Sequence, residues 1–210
     1  MEDKLRVIQR NYARSVTLND SPELNEVTRI GAFDVAYFKD KLICAACVMK
    51  YPSMEVLEKK TLVLGVPMKY VPGFLAFREG PAILQLFYDL EYDPQIIFID
   101  GHGIAHPIKA GLATYVGVEL GKPTIGVAKK ALFGEAMDDK LMSGDEQVGI
   151  LVRTKEYANP LCVSPGNMVS INTAADWVLK TILPPHKKPE PLHIASRLAK
   201  KNAQRLETEN

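Results

Sequence analysis

Four apolar residues, Ile96-Ile97-Phe98-Ile99, run into Asp100 and then into the break Gly101-His102-Gly103. No other stretch constrains the fold of this chain as much. A continuous apolar run ended at once by glycines fits a strand buried on both faces. In open α/β sheets, ligands bind beyond the carboxyl ends of the strands, so Asp100 stands where chemistry is usually placed. The plainer alternative is an aspartate that caps a turn before glycine.

The chain before this strand is rich in strand formers over residues 29–38, 42–51 and 54–66, joined by short polar turns. That pattern predicts an antiparallel meander. A helix is expected to open at Glu79-Gly80-Pro81, with the proline early, where its missing N–H costs little. After the buried strand come a helix over residues 107–120 and a short strand over 123–127. Strand, helix, strand, helix, strand indicates parallel crossovers. The expected class is α/β: a mixed five-stranded central sheet, three antiparallel strands leading into two parallel ones, flanked by helices. Residues 2–14 predict a first helix and 137–144 a loop. Residues 148–153 and 161–163 predict extra short strands. Ser164-Pro165-Gly166 reads as a turn into a helix over 171–183. A basic amphipathic helix over 192–204 follows, and the Glu-Thr-Glu-Asn tail is expected to fray. With no repeat or low-complexity tract, residues 1–210 read as one domain.

Composition removes several function classes. The 210 residues are 47% hydrophobic and carry a formal net charge of +1, which suits a globular domain and announces no nucleic-acid binder. A local basic face remains compatible with that charge. Lys59, Lys60, Lys69, Lys122 and Lys130 fall near the site loops, and Lys187, Lys188, Arg197, Lys200 and Lys201 gather near the C-terminus. No apolar run approaches the roughly 20 residues of a membrane span. The start, Met1-Glu2-Asp3-Lys4, lacks the features of a signal peptide. A cytoplasmic protein is expected, without a membrane partner. Cys44 and Cys47 are formally C-x-x-C, but they lie in a strand-like apolar run and read as small core residues.

The acids carry the chemistry. Asp34 interrupts an apolar strand, where a lone carboxylate is expensive unless paired or bound to a cation. Glu79 stands at the expected helix entry, where the macrodipole alone would suit it. With the first and fourth strands side by side, Asp34 and Asp100 share one edge of a site that Glu79 reaches from its helix. Clustered carboxylates without Cys or His at ligand spacing favour Mg²⁺, with Mn²⁺ able to substitute. With a phosphodiester, such ions suggest metal-assisted hydrolysis. Lys129, just past the strand over 124–127, can place an ammonium beside the same phosphate. His102 and His106 can shuttle a proton or hold the loop by hydrogen bonds.

Several ordered motifs then coincide. They are F-D-V-A-Y at 33–37, Y-V-P-G-F-L-A-F-R-E-G-P at 70–81, D-G-H-G-I-A-H-P at 100–107, P-T-I-G-V-A-K-K at 123–130 and S-P-G at 164–166. In this order the sequence resembles the endonuclease V family, deoxyinosine-directed nucleases with an RNase H-like fold. Pro189-Glu190-Pro191 is similar to that family's C-terminal segment. The resemblance implies that Asp34, Glu79 and Asp100 are catalytic metal ligands, with Lys129 and His106 beside them. It implies that Tyr70, Val71 and Pro72 form a wedge that opens the duplex. Gly73, Leu75, Gly101 and Leu132 would form the pocket for a flipped hypoxanthine. The implied partner is deoxyinosine-containing DNA, with inosine RNA as the alternative substrate; separately, a monomer is expected. The implied reaction is hydrolysis of the second phosphodiester bond 3′ to the lesion in DNA repair. An aromatic side chain stiffened by Val-Pro can enter a base stack. Glycines let backbone groups approach a base edge.

Three positions depart from the family pattern. Asn167 follows Ser-Pro-Gly where histidine is common, which bears on a second metal. Ile108 replaces an arginine after His106-Pro107, and Tyr115 stands where histidine is often found. A non-catalytic inosine or junction binder on the same fold is therefore a competing expectation. A third expectation, an unrelated sheet enzyme using Asp100 on a nucleotide substrate, is disfavoured because the sequence has no G-x-x-x-x-G-K-S/T and no G-x-G-x-x-G after a strand.

Overall fold

The computed structural model describes residues 2–208. Residues 209–210, the last of the tail expected to fray, lie outside that span. The described chain folds around a nine-stranded mixed sheet of order β3-β2-β1-β4-β5-β9-β8-β7-β6. Its strands are β1 (Arg29–Phe38), β2 (Lys41–Lys50), β3 (Glu55–Gly65), β4 (Ile96–Asp100), β5 (Thr124–Ala128), β6 (Glu135–Met137), β7 (Lys140–Ser143), β8 (Glu146–Val152) and β9 (Leu161–Asn167). The α-helices are α1 (Glu2–Ser15), α2 (Leu75–Tyr88), α3 (Leu112–Leu120), α4 (Ile171–Lys180) and α5 (Glu190–Thr208). β1 to β3 pair antiparallel, and β1, β4 and β5 pair in parallel. The α/β class and the five-stranded centre expected from the sequence are therefore present. The extra C-terminal strands do not stand apart; they continue the same sheet antiparallel from β5.

Side chains of a strand alternate between faces, and that alternation positions the site. In β4, Ile96 and Phe98 join the core beneath α4 and α5, with Trp177, Val178, Leu192 and Ala195. Ile97 and Ile99 join the opposite core beneath α2 and α3, with Ile83, Leu86, Leu112 and Val116. In β1, Ile30 and Ala32 take the α5 face while Phe33 takes the α2 face. Carried one step on, the same parity turns Asp34 and Asp100 together toward α5. It also sets Cys44 and Cys47 on opposite faces of β2, so this C-x-x-C cannot close on itself or share one ligand. All three cysteines are buried and free.

Local expectations fail where tertiary contacts overrule turn signals. Ser164-Pro165-Gly166 is not a turn but part of β9, at a register shift against β5 between Thr124 and Ile125. Proline is tolerated inside a sheet at such a bulge. The bulge buttresses the turn after Asp100: Gly103 N donates to Ser164 Oγ at 2.8 Å, and Ile104 N donates to Pro165 O at 2.8 Å. Residues 137–144 contain most of the β6–β7 hairpin rather than a loop. α2 begins at Leu75, four residues before Glu79, and carries Pro81 inside it. Ala76 and Ile83 lie on its buried face either side of the proline, and that packing outweighs one lost helix bond. α3 starts only at Leu112 because the preceding backbone is used elsewhere. Gly111 N donates to Gly103 O at 3.1 Å and Ala113 N to His102 O at 2.9 Å.

Candidate active site

Asp34 and Asp100 each follow the last β1–β4 register pair, Phe33 and Ile99, so the two carboxylates stand side by side at the sheet's end. A cation already joins them. Lys188 Nζ bonds Asp100 Oδ2, lies 3.9 Å from Asp34 Oδ2 and donates to Ser196 Oγ at 2.9 Å. Ser196 Oγ in turn donates to Asp34 Oδ2, and Val35 N donates to Asp34 Oδ1 at 2.7 Å. Burial and the neighbouring Asp100 charge raise the Asp34 carboxyl above the usual range; Lys188, Ser196 and Val35 oppose that rise.

Glu79 reaches this end of the sheet from the other side, on α2. Its side chain is buried, and Tyr37 Oη donates to its Oε1 at 2.7 Å. Burial pushes Glu79 up to about 7, with Asp34 and Asp100 adding to the rise, while Tyr37 and Arg78 hold it down. Arg78 donates from Nε to Tyr37 Oη at 3.0 Å and from Nη1 to Met68 O at 3.1 Å. Its guanidinium also lies 6.0 Å from the centre of the Tyr70 ring. One side chain thus ties the Tyr70 loop to the Glu79–Tyr37 pair.

On the far side of the turn, a hollow of 140 Å³ is lined by Tyr70, Gly73, Leu75, His102, His106 and Leu132, among others. An apolar cavity of about 150 Å³ holds benzene, so the hollow suits one flat ring. Tyr70 is 64% exposed at its rim. Gly73 adopts φ 83, the left-handed region that glycine favours, which closes the turn in which Phe74 N donates to Val71 O at 3.0 Å. Gly73 O accepts from Gln9 Nε2 at 2.6 Å and from His106 Nε2 at 3.1 Å. Ile108 N donates to His106 Nδ1 at 3.4 Å, so His106 is the neutral Nε2–H tautomer, and its burial lowers its pKa accordingly. His102 donates likewise to Lys130 O at 2.9 Å.

The structure therefore divides the residues singled out in the sequence into two groups across the 100–106 turn. Asp34 and Asp100, with Glu79 beside them, form the acidic end. Tyr70, Gly73, Leu75, His106 and Leu132 line the pocket. Val71, Pro72 and Gly101 do not line it; Gly101 lies against Leu112. Lys129 lines a separate hollow beside Lys188 and makes no bond to the acids. Asn167 lies at the opposite end of the sheet, paired with Thr124. Its Oδ1 accepts from Thr17 N at 3.0 Å and its Nδ2 donates to Gly117 O at 3.0 Å, so it pins the N-terminal connection and does not face the acids. Tyr115 packs edge-on against Tyr12 and Phe77. Sequence reasoning missed Lys188, Ser196, Tyr37 and Arg78 as members of the site. The Pro189-Glu190-Pro191 segment was the available signal for the first two.

The donor set is all oxygen, and its charge already draws one cation between Asp34 and Asp100. In donor type and charge it fits a hard divalent ion. Among the described residues, no three His, Cys, Asp or Glu side chains stand close enough together to enclose one. Lys188 fills the gap between the aspartates, and Glu79 accepts a hydrogen bond from Tyr37.

A family model described as Endonuclease V matches residues 10–197. The endonuclease V of Methanopyrus kandleri is 39% identical, covering 100% of this chain and 92% of its own length. The crystal structure of endonuclease V from Streptomyces avermitilis superposes with a TM-score of 0.89 at 32% identity, covering 98% of this chain and 94% of that one. The Ciona intestinalis endonuclease V, crystallised with a 24mer DNA containing an inosine followed by a ribo-adenosine, shares the fold. Its TM-score is 0.85 at 24% identity, covering 97% of this chain and 98% of that one.

Proposed function

This chain belongs to the endonuclease V family, and from that premise we propose that it recognises deoxyinosine in DNA and hydrolyses the second phosphodiester bond 3′ to the lesion. The observation that carries this reading is the pairing of two features across one turn. A ring-sized hollow with an exposed tyrosine at its rim lies on one side, and two half-buried, cation-sharing aspartates lie on the other. The inosine-containing DNA bound by the Ciona relative agrees with a flipped hypoxanthine as the occupant of the hollow.

Mg²⁺, or Mn²⁺ in its place, held by Asp34 and Asp100 with Glu79 reaching from α2, would supply Lewis acidity at the phosphate and lower the pKa of a bound water. The chain supplies the rest. Ser196 and Val35 fix the orientation of Asp34. Tyr37 keeps Glu79 aimed at the sheet's end. Lys129 offers an ammonium to a non-bridging phosphate oxygen. Neutral His106 braces the Gly73 wall of the pocket and thereby positions the base. Tyr70 fills the gap left in the stack.

The carboxylates also tie stability to pH and metal. Asp34 and Glu79 have raised pKa values in the folded protein, so the fold binds more protons than the unfolded chain between the ordinary carboxylate range and about 7. Their contribution favours folding at low pH and is lost as pH rises through that window. A divalent cation at the site should restore it. At a hundredfold excess over Kd, binding adds about 2.7 kcal/mol, which is roughly 5–10 °C in Tm for a chain of this size. Thermal melts with and without Mn²⁺ should show that gain at pH 8 and a much smaller one at pH 5.5. Equal gains at both pH values would contradict the assignment.

Tyr70→Ala should weaken binding to an inosine duplex by about 1–3 kcal/mol while leaving the metal-induced rise in Tm unchanged. Unaltered inosine-over-adenosine discrimination would remove the wedge role. Product mapping tests the reaction itself. Fragments ending in a 3′-hydroxyl and a 5′-phosphate, cut at the second bond 3′ to inosine, are expected. Release of free hypoxanthine, or a cut on the 5′ side, would refute it.

A further inference from the structure

Two hollows adjoin on the α5 face, and neither is lined by a carboxylate. One, of 270 Å³, opens beside the acids: Lys188 and Ser196 line it, with Lys129, Lys187, Arg197 and Lys200. The other, of 590 Å³, lies along the next turns of α5 toward β3 and is lined by Lys59, Arg197, Lys200 and Lys201, among others. Arg197 and Lys200 line both, so the hollows form one track leading away from Asp100 and Asp34.

A chain with a formal net charge of +1 has placed six cations here besides Lys188. Among the described residues, none of Lys59, Lys129, Lys187, Arg197, Lys200 and Lys201 has an acidic partner within ion-pair distance. Lysines elsewhere on the surface do find one: Lys60 pairs with Asp89, Lys109 with Glu146 and Lys122 with Asp93. The crowding has an electrostatic cost, since Lys129 and Lys188 add to the burial that lowers the Lys187 pKa. Unneutralised cations that share a groove and start at an acidic catalytic end are matched to a polyanion with regularly spaced charges.

We propose that this track carries the DNA backbone beyond the scissile phosphate, with Lys200 and Lys201 contacting phosphates that lie outside the cut itself. The proposal rests on the nuclease reading above and adds a second binding surface to it, distinct from the base pocket. Phosphate contacts position the duplex and add affinity without reading sequence. Neutralising one phosphate-binding cation should lower the slope of log K against log[salt] by about 1.

The test compares Lys200→Gln/Lys201→Gln with Lys140→Gln/Lys155→Gln, exposed lysines off the track. Fluorescence anisotropy would follow binding to a labelled inosine duplex in EDTA over a salt series, with melts as a folding control. The track variant should lose about 2 from the salt slope and keep its preference for inosine over adenosine. The off-track variant should match the unaltered protein. Equal slopes for both variants and the unaltered protein overturn the proposal, as does an equal loss in both. A loss seen only with inosine RNA of the same sequence overturns it in favour of an RNA track. If the unaltered protein binds and cuts the inosine duplex while the track variant is indistinguishable from it, the track fails and the nuclease reading stands. If the unaltered protein neither binds nor cuts, both fall.

Discussion

Asp100→Ala should abolish cleavage of an inosine duplex while the protein stays folded. Asp100 ends a strand buried on both faces and supplies one of the two carboxylates that share a cation. Removing even a residue that only orients a metal ligand typically costs 10–100-fold, so loss of a ligand itself should exceed about 10²-fold. Stability should change little, because two effects oppose each other. Lys188 loses its closest acid, but Asp34 and Glu79 are relieved of the Asp100 charge that raises their pKa values. Single-turnover rates beside melting curves separate the two outcomes. Cleavage within tenfold of the unaltered protein would place the chemistry elsewhere. A lost rate accompanied by a collapsed melt would show only misfolding, and Asp100→Asn, close in shape, would then decide between the two.

Gly103→Ala should have the largest effect on the fold. A Cβ there would lie 1.8 Å from Pro165 O, 2.4 Å from Pro165 C and 2.9 Å from Gly166 N. All three are backbone atoms of a central strand, so no flexible side chain can move aside. The turn would be forced off the β9 bulge, breaking the bonds from Gly103 N to Ser164 and from Ile104 N to Pro165. Overpacking costs about 1–3 kcal/mol, and each buried group left unbonded costs about 1–3 more. A fall of about 3–5 kcal/mol, or roughly 10 °C in Tm, is expected. Gly65→Ala is the control: a Cβ there meets nothing within 4 Å, and the change should stay within about 0.5 kcal/mol. Equal melting of the two variants would contradict the packing described for the turn.

The sheet's centre was legible because its signals are local. Ile96 to Ile99 is apolar without alternation, the meander before it has short polar turns, and the acids stand at strand and helix positions visible in one dimension. Ser164-Pro165-Gly166 misled because its proline marks a bulge in a central strand, and a bulge depends on the partner strand. The β6–β7 hairpin escaped because β6 is exposed along its length and shows no alternation. Asn167 drew attention as a possible metal ligand from its place after a motif, yet β9 runs antiparallel to β5 and carries it to the far end of the sheet. Lys188 and Ser196 carry no signal of their own beyond the neighbouring Pro189-Glu190-Pro191 segment. Ser196 meets Asp34 across 162 positions of chain, and only the docking of α5 on β1 brings them together.

The proposed function requires one turn to join a base pocket to a metal-dependent cutting site. End-labelled duplexes that differ only in one inosine or adenosine, incubated with Mg²⁺ or with EDTA, test it most directly. A single cut in the inosine strand is expected with Mg²⁺, none with EDTA and none in the adenosine duplex. An inosine duplex left intact under Mg²⁺ and Mn²⁺ alike, or cut equally well in EDTA, would contradict it.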